Sequence, residues 1–416
     1  MLKLAMAMAV LTLAAVTASA AEPLSPEAKA AFDNGFEAMK KGDYLAAQKE
    51  YEKGLSLAPQ SWEIRAEYVI CMRKQNRLTA SAKAGWQALE LAPEEAGVWG
   101  NLGNTFVVAH AWDEANACFL KAEQFSKDKA WAARNFLALG YQLWGNGQLA
   151  KAANAFKHGA TGDPFNGLAQ VDLGAVLFAS DPTKVENAKA LILAGAAMLK
   201  ATNQTKAAPY VDAINKSIDA GKPFSPGWEP QVSWQRIPAA LLEKPKAGAA
   251  AIAVAADVER HYPLPEGDSL SLTTPEKWSE ALGSGVPGHF FTIQFRAADG
   301  PGYQVLWSAR YTKEPARDLK TETEAKLAEV LPGAVEKKVA LVPISTPQSK
   351  GYAFVITDKD FKPGAKADDY PYLVSITLQT GAVRSSITVL SHTKDAKFVQ
   401  QMLETWKTLR YQAKGE

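Results

Sequence analysis

Cysteine is nearly absent: Cys71 and Cys118 are the two thiols in 416 residues, too few for a fold stapled by disulfides. Histidine is scarce too, with five scattered residues, none in a His-Glu-x-x-His spacing and none beside another, so the common zinc signatures are missing. There is no Gly-x-Ser-x-Gly nucleophile elbow. The glycine-rich stretch Gly283–Gly288 lacks the lysine and following Ser/Thr of a phosphate-binding loop and is read as a flexible connection. Asp368-Asp369, set among lysines, reads as a solvated loop. Charge of one sign is also lacking: 46 Lys+Arg against 44 Asp+Glu leaves +2, with no dense basic run, which argues against a nucleic-acid footprint. The long apolar run is at the start, Leu4–Val16, behind Lys3 and before Ala18-Ser19-Ala20. That is the pattern of a signal peptide over 1–20, with Ala21 the first mature residue. The run is short for a membrane span, and no cysteine stands where a lipid would attach. A periplasmic or secreted protein with no remaining membrane span is expected.

What is present is a pattern that returns every 34 residues. Ala47, Ser81 and Ala115 fall at that spacing, as do Tyr51, Gly85 and Phe119, and Gly35, Val69 and Gly103; Pro59 and Pro93 share the frame. Small residues and aromatics at fixed offsets mean one unit made several times, each too small to bury its own apolar face. In the clearest copy, 96–129, Trp99, Leu102, Gly103 and Phe106 form one stripe of a first helix, and Ala115, Phe119 and Ala122 the stripe of a second. His110–Asp113 is the expected turn, and Gly103 is expected to meet Ala115 where the helices cross. Further copies span 28–61, 62–95 and 133–166. The last is displaced by three residues, because Phe125–Lys129 lengthens the preceding linker or helix. A degenerate unit follows from Gly167, broken at Asp181-Pro182, and a helix over about 207–220 can cap the stack.

These residues and their spacing resemble the tetratricopeptide repeat (TPR) family, which implies helix–turn–helix pairs stacked into a solenoid over 24–220. The two thiols then fall on a first helix and on a second helix one repeat later, so two separate buried thiols are the better reading than a disulfide.

Composition changes after 221. Residues 221–262 read as a linker containing Trp228 and Trp234 plus an Ala-rich segment that is either helix or strand. Over 263–412 alternation predicts strands near 269–273, 289–295, 303–307, 335–345, 351–357, 370–379 and 383–391. The second and third of these are joined by the Asp299–Gly302 turn. Helices are expected at about 314–330 and at the end, where Phe398, Met402, Leu403 and Trp406 share a face. This is an α+β domain. Its element order and the stretches SLSLTTPEKW, GYAFVITDKDF and ITVLSHTKDAKFVQQMLETWKTL resemble the PsbP-like α/β/α domains, which implies a partner-binding module without catalysis of its own.

The TPR resemblance implies a concave groove lined by the first helices, and with it a ligand site of Phe32, Phe36, Ile70, Asn104, Arg134, Tyr141 and Trp144. Phe36, Tyr141 and Trp144 are the expected anchors, and Arg134 and Asn104 the polar contacts that orient a bound peptide. Asn104 matches the asparagine with which some family members hold a C-terminal carboxylate. Gly100, Leu137 and Asp172 stand where that clamp has amide and cationic partners, which argues against it. The linker or C-terminal domain filling the groove is an alternative. The expectation is an exported, non-enzymatic scaffold or adaptor for a protein or peptide, without cofactor or metal. An active site in the C-terminal domain with the repeats as recruiting arm, or a structural part of an envelope assembly, are the other readings.

Overall fold

The structure, a computed structural model, describes residues 23–225, 237–244, 257–264, 267–282, 289, 291–297, 302–312, 318–362 and 370–414. The leader, Trp228 and Trp234, most of the Ala-rich segment, Gly283–Gly288, Asp299–Pro301 and Asp368-Asp369 lie outside the described residues.

The N-terminal half is a solenoid of helical hairpins. Among the described residues it has eleven α-helices: α1 (Pro26–Lys40), α2 (Tyr44–Leu57), α3 (Trp62–Lys74), α4 (Leu78–Leu91), α5 (Ala96–Val108), α6 (Trp112–Phe125), α7 (Lys129–Gly145), α8 (Leu149–Gly162), α9 (Gly167–Ser180), α10 (Val185–Ala201) and the capping α11 (Ala208–Asp219). The side chains of Ser25, Ser61, Asp128 and Asn166 cap α1, α3, α7 and α9 by accepting from the backbone of the first turn. The first four hairpins turn on a left-handed residue, Gly42, Asn76, His110 and Gly147. In each, the next N–H bonds back to the helix, as Asp43 does to the Ala38 carbonyl and Gln148 to that of Leu143. His110 is the one side chain with a Cβ and a ring in that series, and it stacks on Trp112 at 4.7 Å. The third turn is therefore 109–111, and Trp112 and Asp113 already belong to α6.

Within a hairpin the helices close on a glycine facing a ring sixteen residues on. A Cβ added to Gly35 would come within 2.6 Å of Tyr51, one on Gly103 within 2.4 Å of Phe119, and one on Gly140 within 2.9 Å of Phe156. Gly103 thus meets the Phe119 ring, whereas Ala115 was the expected partner: the ring reaches back across the crossing, and the small Ala115 lets it. The second hairpin reverses the pair, with Val69 in place of glycine and Gly85 in place of the ring. There Ser81 Oγ bonds the Val69 carbonyl at 2.8 Å. The insertion before the fourth hairpin lengthens neither α6 nor the linker. It adds a turn to the start of α7, laying Trp131 over Gly100, where a Cβ would come within 3.0 Å of the indole. Cys71 and Cys118 are buried and not joined; burial pushes the Cys71 thiol up to about 12 and that of Cys118 higher still.

The C-terminal half is an α+β domain of two antiparallel sheets. One has the order β1-β2-β10 (Asp257–Pro263, Ser269–Pro275, Arg410–Gln412). The other is seven-stranded, β3-β4-β5-β9-β8-β7-β6, from β3 (Trp278–Leu282), β4 (Phe291–Ala297), β5 (Tyr303–Tyr311), β6 (Val342–Ser345), β7 (Ser349–Thr357), β8 (Tyr372–Thr380) and β9 (Val383–Ser391). The small sheet and α13 (Ala396–Lys407) cover one face of the large sheet, where Tyr262, Trp307 and Trp406 form a chain of edge-on rings at 4.7 and 5.3 Å. Helix α12 (Leu319–Val330) packs on the other face through Leu327 against Phe354 and Ile356. Alternation does not reveal β3 and β10. The strand expected over 335–345 is reduced to β6, with Ala334 in an isolated bridge to Asp358.

The Gly103–Phe119 contact yields a test. Gly103→Ala should destabilise the protein by about 1–3 kcal/mol from overpacking. Adding Phe119→Leu should cost less in that background than in the wild type, so a urea-denaturation double-mutant cycle should show favourable coupling. Simple additivity would mean that the ring does not set the helix spacing.

Candidate functional site

The first helices α1, α3, α5 and α7 touch one another in series, so one face of the solenoid is built from them alone. Its seam is polar. Arg73 on α3 donates to the Asn101 carbonyl at 2.8 Å, and Asn101 on α5 reaches back to that of Ala66. Asn104 on α5 donates to Asn135 Oδ1 on α7 at 3.2 Å and to the Gly100 carbonyl at 2.9 Å. The Asn135 amide nitrogen is buried with no hydrogen-bond partner among the described residues. One repeat on, Tyr141 on α7 donates to Asp172 on α9 at 2.6 Å, and Tyr210 on α11 donates to the other carboxylate oxygen at 2.7 Å. Each side chain joins one first helix to the next, except Tyr210, which ties the capping helix to the stack.

Of the residues expected to line the groove, Phe36 is 41% exposed, with Lys40 Nζ 4.6 Å above its ring, and Arg134 is exposed on α7. Phe32 is half-buried against Tyr51, and Ile70 is half-buried on α3. Asn104 joins Asn135, which the sequence reading missed although Asn101 and Asn135 stand 34 residues apart. Tyr141 is half-buried, its hydroxyl committed to Asp172. Trp144 is a correction: it is 5% exposed, packed edge-on against Phe156 at 5.9 Å and covered by Phe224 at 6.2 Å. It serves the core, because the chain leaving α11 returns across it. Gly100 lies under Trp131 and Leu137 fills the space beside Gly159, so the carboxylate-clamp positions are spent on packing.

Tyr141, Leu168, Asp172, Gln204, Lys206 and Tyr210 line a recess of about 680 Å³ where the capping helix meets the stack. Burial raises the Asp172 carboxyl to about 6, against the pull of its two tyrosine donors. Beyond the recess, the chain after α11 meets the helices again where the Trp86 indole donates to the Leu241 carbonyl at 2.7 Å, with Ile237 and Leu241 buried. The C-terminal domain meets the α3–α4 turn: Arg77 pairs with Glu276 at 2.9 Å, both side chains buried, and the Glu280 N–H donates to the Gln75 carbonyl. Among the described residues no group of three His, Cys, Asp or Glu is placed to hold a metal ion, and no helix is long and apolar enough to cross a membrane.

The Asp172 carboxyl sets a pH dependence. Its folded value of about 6 lies above the ~3.9 of an unfolded aspartate, so the native state binds the proton more tightly. Its contribution is complete below about pH 4 and is lost as pH rises to about 6, some ~3 kcal/mol in all. Asp172→Asn cannot titrate there. The stability of wild type minus that of the variant, from urea midpoints, should therefore fall by about that amount between pH 4 and pH 7. A flat or rising difference would refute the assignment.

No protein-family model and no curated protein matches this chain. Solved structures similar to its helical half include a MamA fragment from Desulfovibrio magneticus RS-1, 14% identical, TM-score 0.36, covering 43% of this chain and 98% of that one. A further MamA crystal structure is 16% identical, TM-score 0.35, covering 41% and 96%. PilF from Pseudomonas aeruginosa is 16% identical, TM-score 0.34, covering 49% and 95%. At these scores the likenesses carry no weight of their own. The TPR-type fold is established by the consecutive hairpins with their recurring glycine–ring contacts and left-handed turns.

Proposed function

We propose that this protein is an exported, non-enzymatic scaffold or adaptor that holds a protein or peptide along the face built from α1, α3, α5 and α7. The observation that carries this reading is the Asn104–Asn135 pair. An amide donor buried without an acceptor is costly to leave unmade, and a turn of the half-buried Asn135 side chain toward the surface would present it to a peptide carbonyl laid along the seam. Exposed Arg134 lies next to that amide in sequence, and exposed Phe36 offers an apolar contact at the other end of the face. A bound segment runs between them, oriented by the asparagines, and ends before the tyrosine–aspartate recess that α11 closes. Trp144 has no part in it, and Tyr141 acts by holding Asp172.

Export rests on the leader pattern of residues 1–20. The partner is therefore sought outside the cytoplasm of the exporting cell.

A photo-crosslinking residue placed in the full chain tests the face directly. Positions 36 and 134 should capture the same partner, identified by mass. Position 120, where Leu120 is exposed on the second helix α6, should not. Arg134→Glu should weaken capture by about tenfold through charge reversal beside the seam. Equal capture from position 120, or none from 36 and 134, would remove the groove as the binding site.

A further inference from the structure

We propose that the face of the seven-stranded sheet beside α12 binds a small oxyanion, a phosphate or carboxylate group, on Arg310, Lys326 and the hydroxyls of β5 and β9. The floor is a row of hydroxyls at one register across four strands. Thr292 on β4 stands opposite Ser308 on β5, Ser308 opposite Ser386 on β9, and Ser386 opposite Thr377 on β8. Thr292 and Ser308 are hydrogen-bonded at 3.1 Å. One step along, Arg310 on β5 stands opposite Arg384 on β9. From the helix above, Lys326 reaches down and donates to Thr377 Oγ1 at 3.2 Å and Ser386 Oγ at 3.1 Å.

Among the described residues, charge at this place does not balance. Arg310, Lys326 and Arg384 are three cations, and Glu322 is the carboxylate paired with the cluster among the described residues. Glu322 is committed to Arg384, whose side chain is buried, and lies 3.7 Å from Lys326. Arg310 is exposed and has no carboxylate partner among the described residues. Lys326 is two-thirds buried, and desolvation together with the neighbouring Arg310 and Arg384 lowers its affinity for its proton. A network meant only to hold α12 on the sheet would need Glu322 and Arg384 and no more. Two further cations on the face of one strip of hydroxyls repel each other unless an anion comes between them. An oxyanion there would take a fork of N–H donors from Arg310, a point charge from Lys326 and hydroxyl donors from Ser308 and Ser386.

This site is separate from the helical groove, and its test does not depend on the partner. The full chain is titrated by calorimetry with inorganic phosphate and, separately, with succinate, against chloride at matched ionic strength. At least one anion should bind saturably at one site, in the millimolar range or tighter. Arg310→Gln removes an exposed side chain without an ion pair among the described residues and should leave the fold intact while weakening binding by about fivefold or more; Lys326→Met should weaken it by about tenfold or more. Phosphate alone, succinate alone, or both would tell which oxyanion the strip accepts. If neither gives a saturable heat, or if Arg310→Gln binds as the wild type does, the strip is a structural network and the proposal fails.

Discussion

The helical half depends on one contact, a residue without a side chain facing a ring from the partner helix. Where Gly35, Gly103 and Gly140 meet Tyr51, Phe119 and Phe156, the ring occupies the space a Cβ would take. The spacing of two helices is thereby set by one glycine–ring contact, and repetition of that contact gives hairpins of one shape that can stack. The departures obey the same constraint. The second hairpin needs no ring because Val69 supplies the bulk, and Gly85 leaves room for Leu102 of the next repeat. In the fifth no ring faces the glycines: Gly167 and Gly195 each lie so close to the other's carbonyl that an added Cβ would approach within 2.6 and 2.4 Å. Its helices touch backbone to backbone, and the solenoid ends there under α11.

Stacking equal hairpins puts the first helices side by side, and that adjacency produces the polar seam. A side chain about 30 residues from its partner in sequence is within hydrogen-bond reach in space, as Asn104 is of Asn135 and Tyr141 of Asp172. The seam serves two ends with one geometry. Where both oxygens of the acceptor are used, at Asp172, it fastens the cap. At Asn135 the seam is one acceptor short, and the amide nitrogen is buried without a partner among the described residues.

The repeat was legible because each hairpin carries its own small residues and rings, so the same residue types return at fixed offsets every 34 residues. The α+β character and most strands of the second half were legible from alternation. What escaped was decided between elements. The extra turn of α7 is indistinguishable in sequence from a longer linker, since Lys129–Ala132 is compatible with either. Trp144 has the composition of an anchor and became core because Phe224, eighty residues on, comes back over it. β3 was hidden because Trp278 and Glu280 both point inward, and a buried glutamate breaks the apolar rhythm. Glu280 is tolerated there because Arg260, itself fully buried, meets it at 2.6 Å while also bonding Thr274 and the Trp278 carbonyl. No single-strand pattern can announce that pairing.

The same reasoning bears on how the two halves are joined. Arg77 opens α4 and is buried against Glu276, nearly two hundred residues away, while Gln48 shares its guanidinium and Gln75 bonds both Gln48 and the Tyr44 carbonyl. Two charges taken out of water gain little net stability from each other, and an apolar pair of equal volume would hold the surfaces about as well. An apolar contact, however, tolerates sliding. An Arg–Glu pair with one hydrogen-bonded geometry does not, because displacing either partner strands a buried charge at a cost of about 3–5 kcal/mol. The pair therefore fixes where the β-domain sits against the first two hairpins more than it holds it there. A partner lying along the inner helix faces would meet a second domain whose position is already set.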